Sequence, residues 1–308
     1  MKGTVIKTTG DLYEVKSENG DVLECRLKGK FRTKGIKSTS PVVVGDKIRV
    51  EQTDESSMIV ELFDRKNYII RKSVNLSKQT HIVASNVDQA ILMVTIQQPI
   101  TTTGFIDRFL AAAQSFRIEV LIIFNKLDIY DDEMMNTQKK LRQIYEKIGY
   151  NCMSLSVLHD KLDDLQKAMK NKVNVIAGHS GVGKTTLINK LQPGLNLVTK
   201  EISKTHKQGQ HATTFSELYT LDFGGSIIDT PGIKGFGMVE MKKKELGDYF
   251  REFIAIKNDC TFHNCIHLNE PDCAVKKSLE NESIAQSRYT SYLSMLEEEE
   301  ENFRTNDY

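Results

Sequence analysis

Two short strings constrain this chain more than any bulk property: Asn125-Lys126-Leu127-Asp128 comes before Gly178-His179-Ser180-Gly181-Val182-Gly183-Lys184-Thr185. The second string has the pattern of a phosphate loop. Its glycines let consecutive backbone N–H groups curl around a β-phosphate, Lys184 bridges β- and γ-phosphates, and the Thr185 hydroxyl meets Mg2+ at a helix N-terminus, with Thr186 next in line. Such a loop works only between a strand and a helix, so the chain must hold an α/β domain. The first string follows the apolar run 119–124, at a strand end, where ligands of open sheets bind. The Asp128 carboxylate can accept from the ring N–H and the exocyclic amine of guanine together, and Asn125 can donate to N7. Adenine offers no such pair, and an unpaired carboxylate discriminates by about four to five orders of magnitude. The base-reading element therefore precedes the phosphate loop, as in a chain cut and rejoined.

The 308 residues suffice for two or three domains. A net charge of +1 places any affinity for a polyanion in local clusters. No apolar run approaches a membrane span and the N-terminus lacks an apolar core, so the expected address is the cytoplasm. Segments 4–8, 12–15, 22–27, 42–50 and 58–63 read as short strands with no helix between them, which predicts a small closed barrel of the oligonucleotide-binding kind. Arg26, Lys28, Lys30, Arg32, Lys34 and Lys37 form a run without an acid, interrupted by Phe31. That pattern suits a phosphate backbone plus a stacked base, although a solvated edge loop has the same composition. A second basic group, Arg65, Lys66, Arg71 and Lys72, falls at the expected linker.

Beyond it, apolar runs alternate with helical stretches. Strands are expected at 89–96, 119–124, 151–156, 173–177, 218–221 and 226–228, and helices at 133–148 and from 185 to 191. Phe105, Phe109, Ala113 and Phe116 recur at helical spacing and read as core. The result is a parallel or mixed sheet wrapped by helices. Ser154-Leu155-Ser156, at a strand end, would offer backbone N–H groups to guanine O6. Asp229-Thr-Pro-Gly232 follows a strand, where Asp229 can hold a magnesium-bound water and the Gly232 N–H can meet the γ-phosphate. Thr213 or Thr214 would complete the magnesium shell.

Cys260, Cys265, His267 and Cys273 lie within fourteen residues, three thiolates and an imidazole suited to one tetrahedral, structural Zn2+. His263 is a competing ligand, whereas the isolated Cys25 and Cys152 read as core fillers. The tail 274–303 is helical in pattern and ends in acid, Glu297 to Glu301.

The order Asn-Lys-x-Asp, Ser-x-Ser, phosphate loop, Thr-Thr, Asp-x-x-Gly and then a Cys/His cluster resembles the RsgA/YjeQ family of circularly permuted, ribosome-small-subunit-dependent GTPases, over nearly the whole chain. The resemblance implies an oligonucleotide-binding barrel at 1–66, a permuted α/β phosphate-loop GTPase domain at 67–240 and a small helical zinc-binding domain at 241–308. It also implies GTP and GDP as ligands, Mg2+, the small ribosomal subunit and its rRNA as partners, and hydrolysis stimulated by that subunit in its late maturation. A monomer is expected. Ala212 departs from the family, whose members often carry a third threonine there. Ile233 stands where many GTPases place a water-orienting glutamine, and isoleucine cannot hydrogen-bond water. His211 takes that role by resemblance, so the catalytic set reads His211, Lys184, Thr213, Thr214, Asp229 and Gly232. The rival reading is a GTP-gated RNA-binding module with negligible hydrolysis.

Overall fold

The computed structural model describes residues 1–28, 41–53, 56–71, 81–195, 216–229 and 242–304. They form two compact units, one of Met1–Ile91, Val157–Gly178 and Gly183–Phe236, the other of Leu92–Ser156, His179–Val182 and Gly237–Tyr308.

The first unit opens with strands β1 (Lys2–Thr9), β2 (Leu12–Ser17), β3 (Val22–Leu27), β4 (Lys47–Gln52) and β5 (Ser57–Leu62). They pair in the order β1-β2-β3-β5-β4 and close through β4 on β1, so the expected barrel is present. Alternate residues point inward, and Val5, Tyr13, Val15, Cys25, Ile48, Val50 and Ile59 fill the barrel. The strand expected at 42–50 starts only at Lys47. Gly45 turns the chain at φ +92°, and the Asp46 carboxylate accepts from the Val43 N–H at 2.8 Å. A Cβ on Gly45 would lie 2.1 Å from the Ser85 carbonyl oxygen, so only glycine allows this approach.

The segment read as a linker carries a hairpin that the sequence did not announce, β6 (Tyr68–Arg71) against β7 (His81–Ser85). Arg65 is no free cation either. Its guanidinium grips the fully buried Asp46 through two 2.6 Å bonds, and the Ser85 hydroxyl donates to the same carboxylate at 2.6 Å. A desolvated ion pair thereby fastens the turn before β4 to the segment leading into β6, and the Ser85 hydroxyl ties the same carboxylate to the end of β7.

β8 (Gln89–Val94) is buried at every position, as a central strand should be. α1 (Thr103–Ser115) follows, capped by the Thr102 hydroxyl, then β9 (Glu119–Phe124), α2 (Asp132–Lys147), β10 (Asn151–Ser154) and α3 (Asp163–Met169). β11 (Val173–Ala177) leads into α4 (Lys184–Leu191), and β12 (Glu217–Thr220) and β13 (Ser226–Asp229) form an antiparallel pair. In the first unit β13 runs parallel to β11, and β12 pairs with barrel strand β1. In the second, β9 and β10 are parallel.

The second unit ends in α5 (Lys243–Leu246), α6 (Arg251–Ile254), α7 (Ala274–Glu280) and α8 (Gln286–Arg304). The tail read as helical in pattern is two helices, α7 and α8, and the chain between them passes through Glu282 at φ +58°. Arg288 of α8 is buried between Asp107 of α1 (2.7 Å) and Glu252 of α6 (2.6 and 3.2 Å), and Tyr145 of α2 donates to Asp107 at 2.8 Å. No helix among the described residues is long and apolar enough to cross a membrane.

Candidate functional site

The phosphate loop has the backbone its sequence calls for. Gly178, Gly181 and Gly183 all have positive φ (139°, 85° and 104°), conformations that an L side chain resists. Gly183 is the N-cap of α4, so Lys184, Thr185 and Thr186 occupy its first turn, with backbone N–H groups that no helical carbonyl can reach. The Lys184 ammonium donates to the Gly178 carbonyl at 2.7 Å, which parks it over the loop it would serve. Within the second unit, the His179 ring lies 3.9 Å from that of Phe105, at an interplanar angle of 33°. Phe105, read as core, is thus the aromatic of α1 that meets the phosphate loop, while Phe109 and Ala113 are buried.

The base-reading string stands at the end of β9. Asn125 is buried, its N–H donates to the Val94 carbonyl at 2.8 Å, and its side-chain amide donates to the Val182 carbonyl at 2.8 Å. That last bond ties the first residue of the guanine motif to the phosphate loop, fifty-seven residues further along the chain. Lys126 is left-handed at φ +67°, and Leu127, Asp128 and Ile129 form a 3-10 turn that leaves Asp128 exposed. The Lys126 ammonium donates to the Gln98 carbonyl.

The Ser154-Leu155-Ser156 expectation needs correction at its centre. The Leu155 N–H donates to the Phe124 carbonyl at 2.9 Å, continuing the parallel ladder, so this amide is not available to a base. Ser154 uses its hydroxyl to accept from Gln138 (2.7 Å) and Arg142 (3.2 Å), and Ser156 is buried. Asp229 is the last residue of β13. His211, Thr213, Thr214 and Gly232 lie outside the described residues, as do Lys30, Phe31, Arg32, Lys34 and Lys37. Of the barrel cations, Arg26 is exposed on β3, and Lys28 pairs with Glu51 at 2.7 Å.

The Cys/His cluster is assembled. The ligand atoms of Cys260, Cys265, His267 and Cys273 all lie within 4.8 Å of one another. His267 Nδ1 is 3.7, 3.4 and 3.4 Å from the sulfurs of Cys260, Cys265 and Cys273. Tetrahedral zinc with bonds of about 2.3 Å to sulfur and 2.0–2.1 Å to nitrogen requires S···N separations of about 3.6 Å, so the four groups fit that ion. The imidazole is buried and fixed from outside: Tyr289 donates to the His267 carbonyl (2.7 Å), Tyr292 to that of Ile266 (2.6 Å), and Phe253 meets the ring edge-on. Burial pushes the Cys25 thiol up to about 11 and the Cys152 thiol up to about 12, as inert fillers require.

Two family models divide the chain: the RsgA GTPase model matches residues 62–239 and the RsgA N-terminal domain model residues 2–60. The chain belongs to the RsgA GTPase family. Among RsgA relatives, the small ribosomal subunit biogenesis GTPase RsgA of Flavobacterium psychrophilum is 53% identical, covering 100% of this chain and 96% of its own. The protein of that name from Bacteroides fragilis is 52% identical over 98% of both chains. Crystallographic YjeQ from Thermotoga maritima superposes with a TM-score of 0.80 at 34% identity, over 96% of this chain and 97% of its own. YloQ, described as a circularly permuted GTPase, gives 0.77 at 29% identity, over 98% and 95%. The reversed motif order is therefore the order of the RsgA fold.

Proposed function

We propose that this RsgA-family GTPase binds the small ribosomal subunit, acts in its late maturation, and couples hydrolysis of GTP to its own release. One contact carries the nucleotide part of this reading: within the second unit the Asn125 side chain is bonded to the Val182 carbonyl, so the base-reading string meets the 179–182 stretch of the phosphate-loop sequence. The ribosomal part is supported by the names of the relatives, which match over almost their full length.

In this reading Asn125 and Asp128 select guanine, and the backbone of 178–183 cradles the β-phosphate. Lys184 leaves the Gly178 carbonyl to bridge β- and γ-phosphates. Thr185, with Thr213 or Thr214, would hold Mg2+, which when bound neutralises charge developing on the phosphates. Asp229 and the Gly232 N–H sense the γ-phosphate, and His211 orients the attacking water in place of Ile233. The cluster at 260–273 would hold one Zn2+ that folds the C-terminal segment. We assign the domains as 1–66, 67–240 and 241–308, and contact with rRNA to Arg26, Lys28, Lys30, Phe31, Arg32, Lys34 and Lys37.

The test is co-sedimentation of the purified protein with small subunits. A non-hydrolysable GTP analogue should favour the bound state at least tenfold over GDP; equal affinity in the two states excludes coupling of hydrolysis to release.

A further inference from the structure

Tyr130 lies two residues after the base-reading string and belongs to no motif. Its hydroxyl accepts from the backbone N–H of Ile96 at 2.7 Å and donates to the backbone carbonyl of Asn125 at 2.7 Å. One phenol oxygen thus joins the end of β8 to the first residue of the guanine motif. The carbonyl it holds belongs to the peptide unit just before Lys126, where the chain turns left-handed at φ +67°. A non-glycine residue in that region costs energy and persists only where its surroundings fix it. Asn125 is then held at three points: N–H to Val94, side-chain amide N–H to Val182, and carbonyl to Tyr130. The turn that bears Asp128 hangs from that carbonyl. Burial, with the Asp128 charge adding to it, raises the phenol pKa, so the hydroxyl stays protonated and can donate.

We propose that Tyr130 is a positioning residue for base specificity: by bridging Ile96 and Asn125 it sets the pose from which Asp128 meets the exocyclic amine of guanine. The inference rests on the guanine-nucleotide reading of the site. A tyrosine serving only to pack the loop would need its ring and not its oxygen.

Tyr130→Phe keeps the ring and removes that oxygen. The affinities of the full-length protein for GDP and for IDP, which lacks the exocyclic amine, separate the two roles. In the variant, loss of pre-organisation of the Asp128 turn should lower GDP affinity about tenfold, while IDP affinity falls by clearly less. The GDP-over-IDP preference therefore shrinks, and for GTP hydrolysis KM rises with kcat kept. In an Asp128→Ala background, Tyr130→Phe should leave the GDP-over-IDP ratio unchanged. An undiminished preference, whether the two affinities fall equally or not at all, overturns the proposal, as does a further change of the ratio in the Asp128→Ala background. A wild-type protein that binds no GDP would overturn the nucleotide reading itself, and this inference with it.

Discussion

Replacing Arg288 by methionine should loosen the C-terminal helices far more than the loss of one surface charge would. The Arg288 side chain is 1% exposed, and its partners Asp107 and Glu252 are 0% and 6% exposed. Burial works against the charge on Arg288, but Asp107 and Glu252 outweigh it and raise its pKa. Burial also holds Asp107 above the usual carboxylate range in spite of the guanidinium beside it. Arg288→Met leaves two carboxylates in a space without a cation, and breaking a buried pair in this way costs about 3–5 kcal/mol. Amide hydrogen exchange on peptides from α1 and α8 reads the loss locally. Since about 1.4 kcal/mol is a factor of ten, a loss of ~3 kcal/mol speeds exchange of the most protected amides about a hundredfold. The sign of the pH dependence follows from Asp107. A carboxyl with a raised folded pKa favours the fold when protonated, a contribution present at low pH and lost as pH rises through the folded pKa. The defect of Arg288→Met should therefore shrink as pH falls from 8 toward 5. Exchange within about threefold of wild type at pH 8, or a defect that grows on acidification, would refute this reasoning.

Three further outcomes are expected. Asp46→Ala strands the Arg65 guanidinium, 7% exposed, and also deprives Val43 and Ser85 of their acceptor, so stability by urea denaturation should fall by about 3 kcal/mol or more; a change below about 1 kcal/mol would contradict the structure there. Cobalt substitution of the Cys260–Cys273 cluster should give thiolate charge-transfer absorption of three sulfurs, and chelation should unfold the segment around Phe253 and Tyr292; protein without stoichiometric metal would refute the zinc assignment. His211→Ala should cut subunit-stimulated turnover by two orders of magnitude or more while GTP affinity stays near wild type, and unchanged turnover would remove His211 from the mechanism.

The parts of this protein that could be read directly were those whose chemistry is local in sequence. The phosphate loop, the guanine motif and the Cys/His cluster each need fixed residue types at fixed spacing, and the barrel strands alternate visibly. What escaped depends on contacts between distant segments. Arg65 reads as a linker cation because nothing nearby signals that Asp46 and Ser85 will enclose it. Segment 42–50 has the apolar content of one strand, yet Gly45 must turn to pass the Ser85 carbonyl. Leu155 was a plausible amide donor until the parallel register placed it against the Phe124 carbonyl. Arg288 in an otherwise ordinary helical tail carries no sign that α1 and α6 supply its counter-ions, one of them 181 residues away. A tyrosine two residues past a motif gives a weak signal.

GTP turnover by the purified protein, with and without small ribosomal subunits, tests the proposed function most directly. Hydrolysis should be slow alone, because Ile233 cannot orient water, and should rise by at least an order of magnitude when small subunits are added, with no such rise for large subunits. Turnover that is indifferent to small subunits, or absent in their presence, would contradict it.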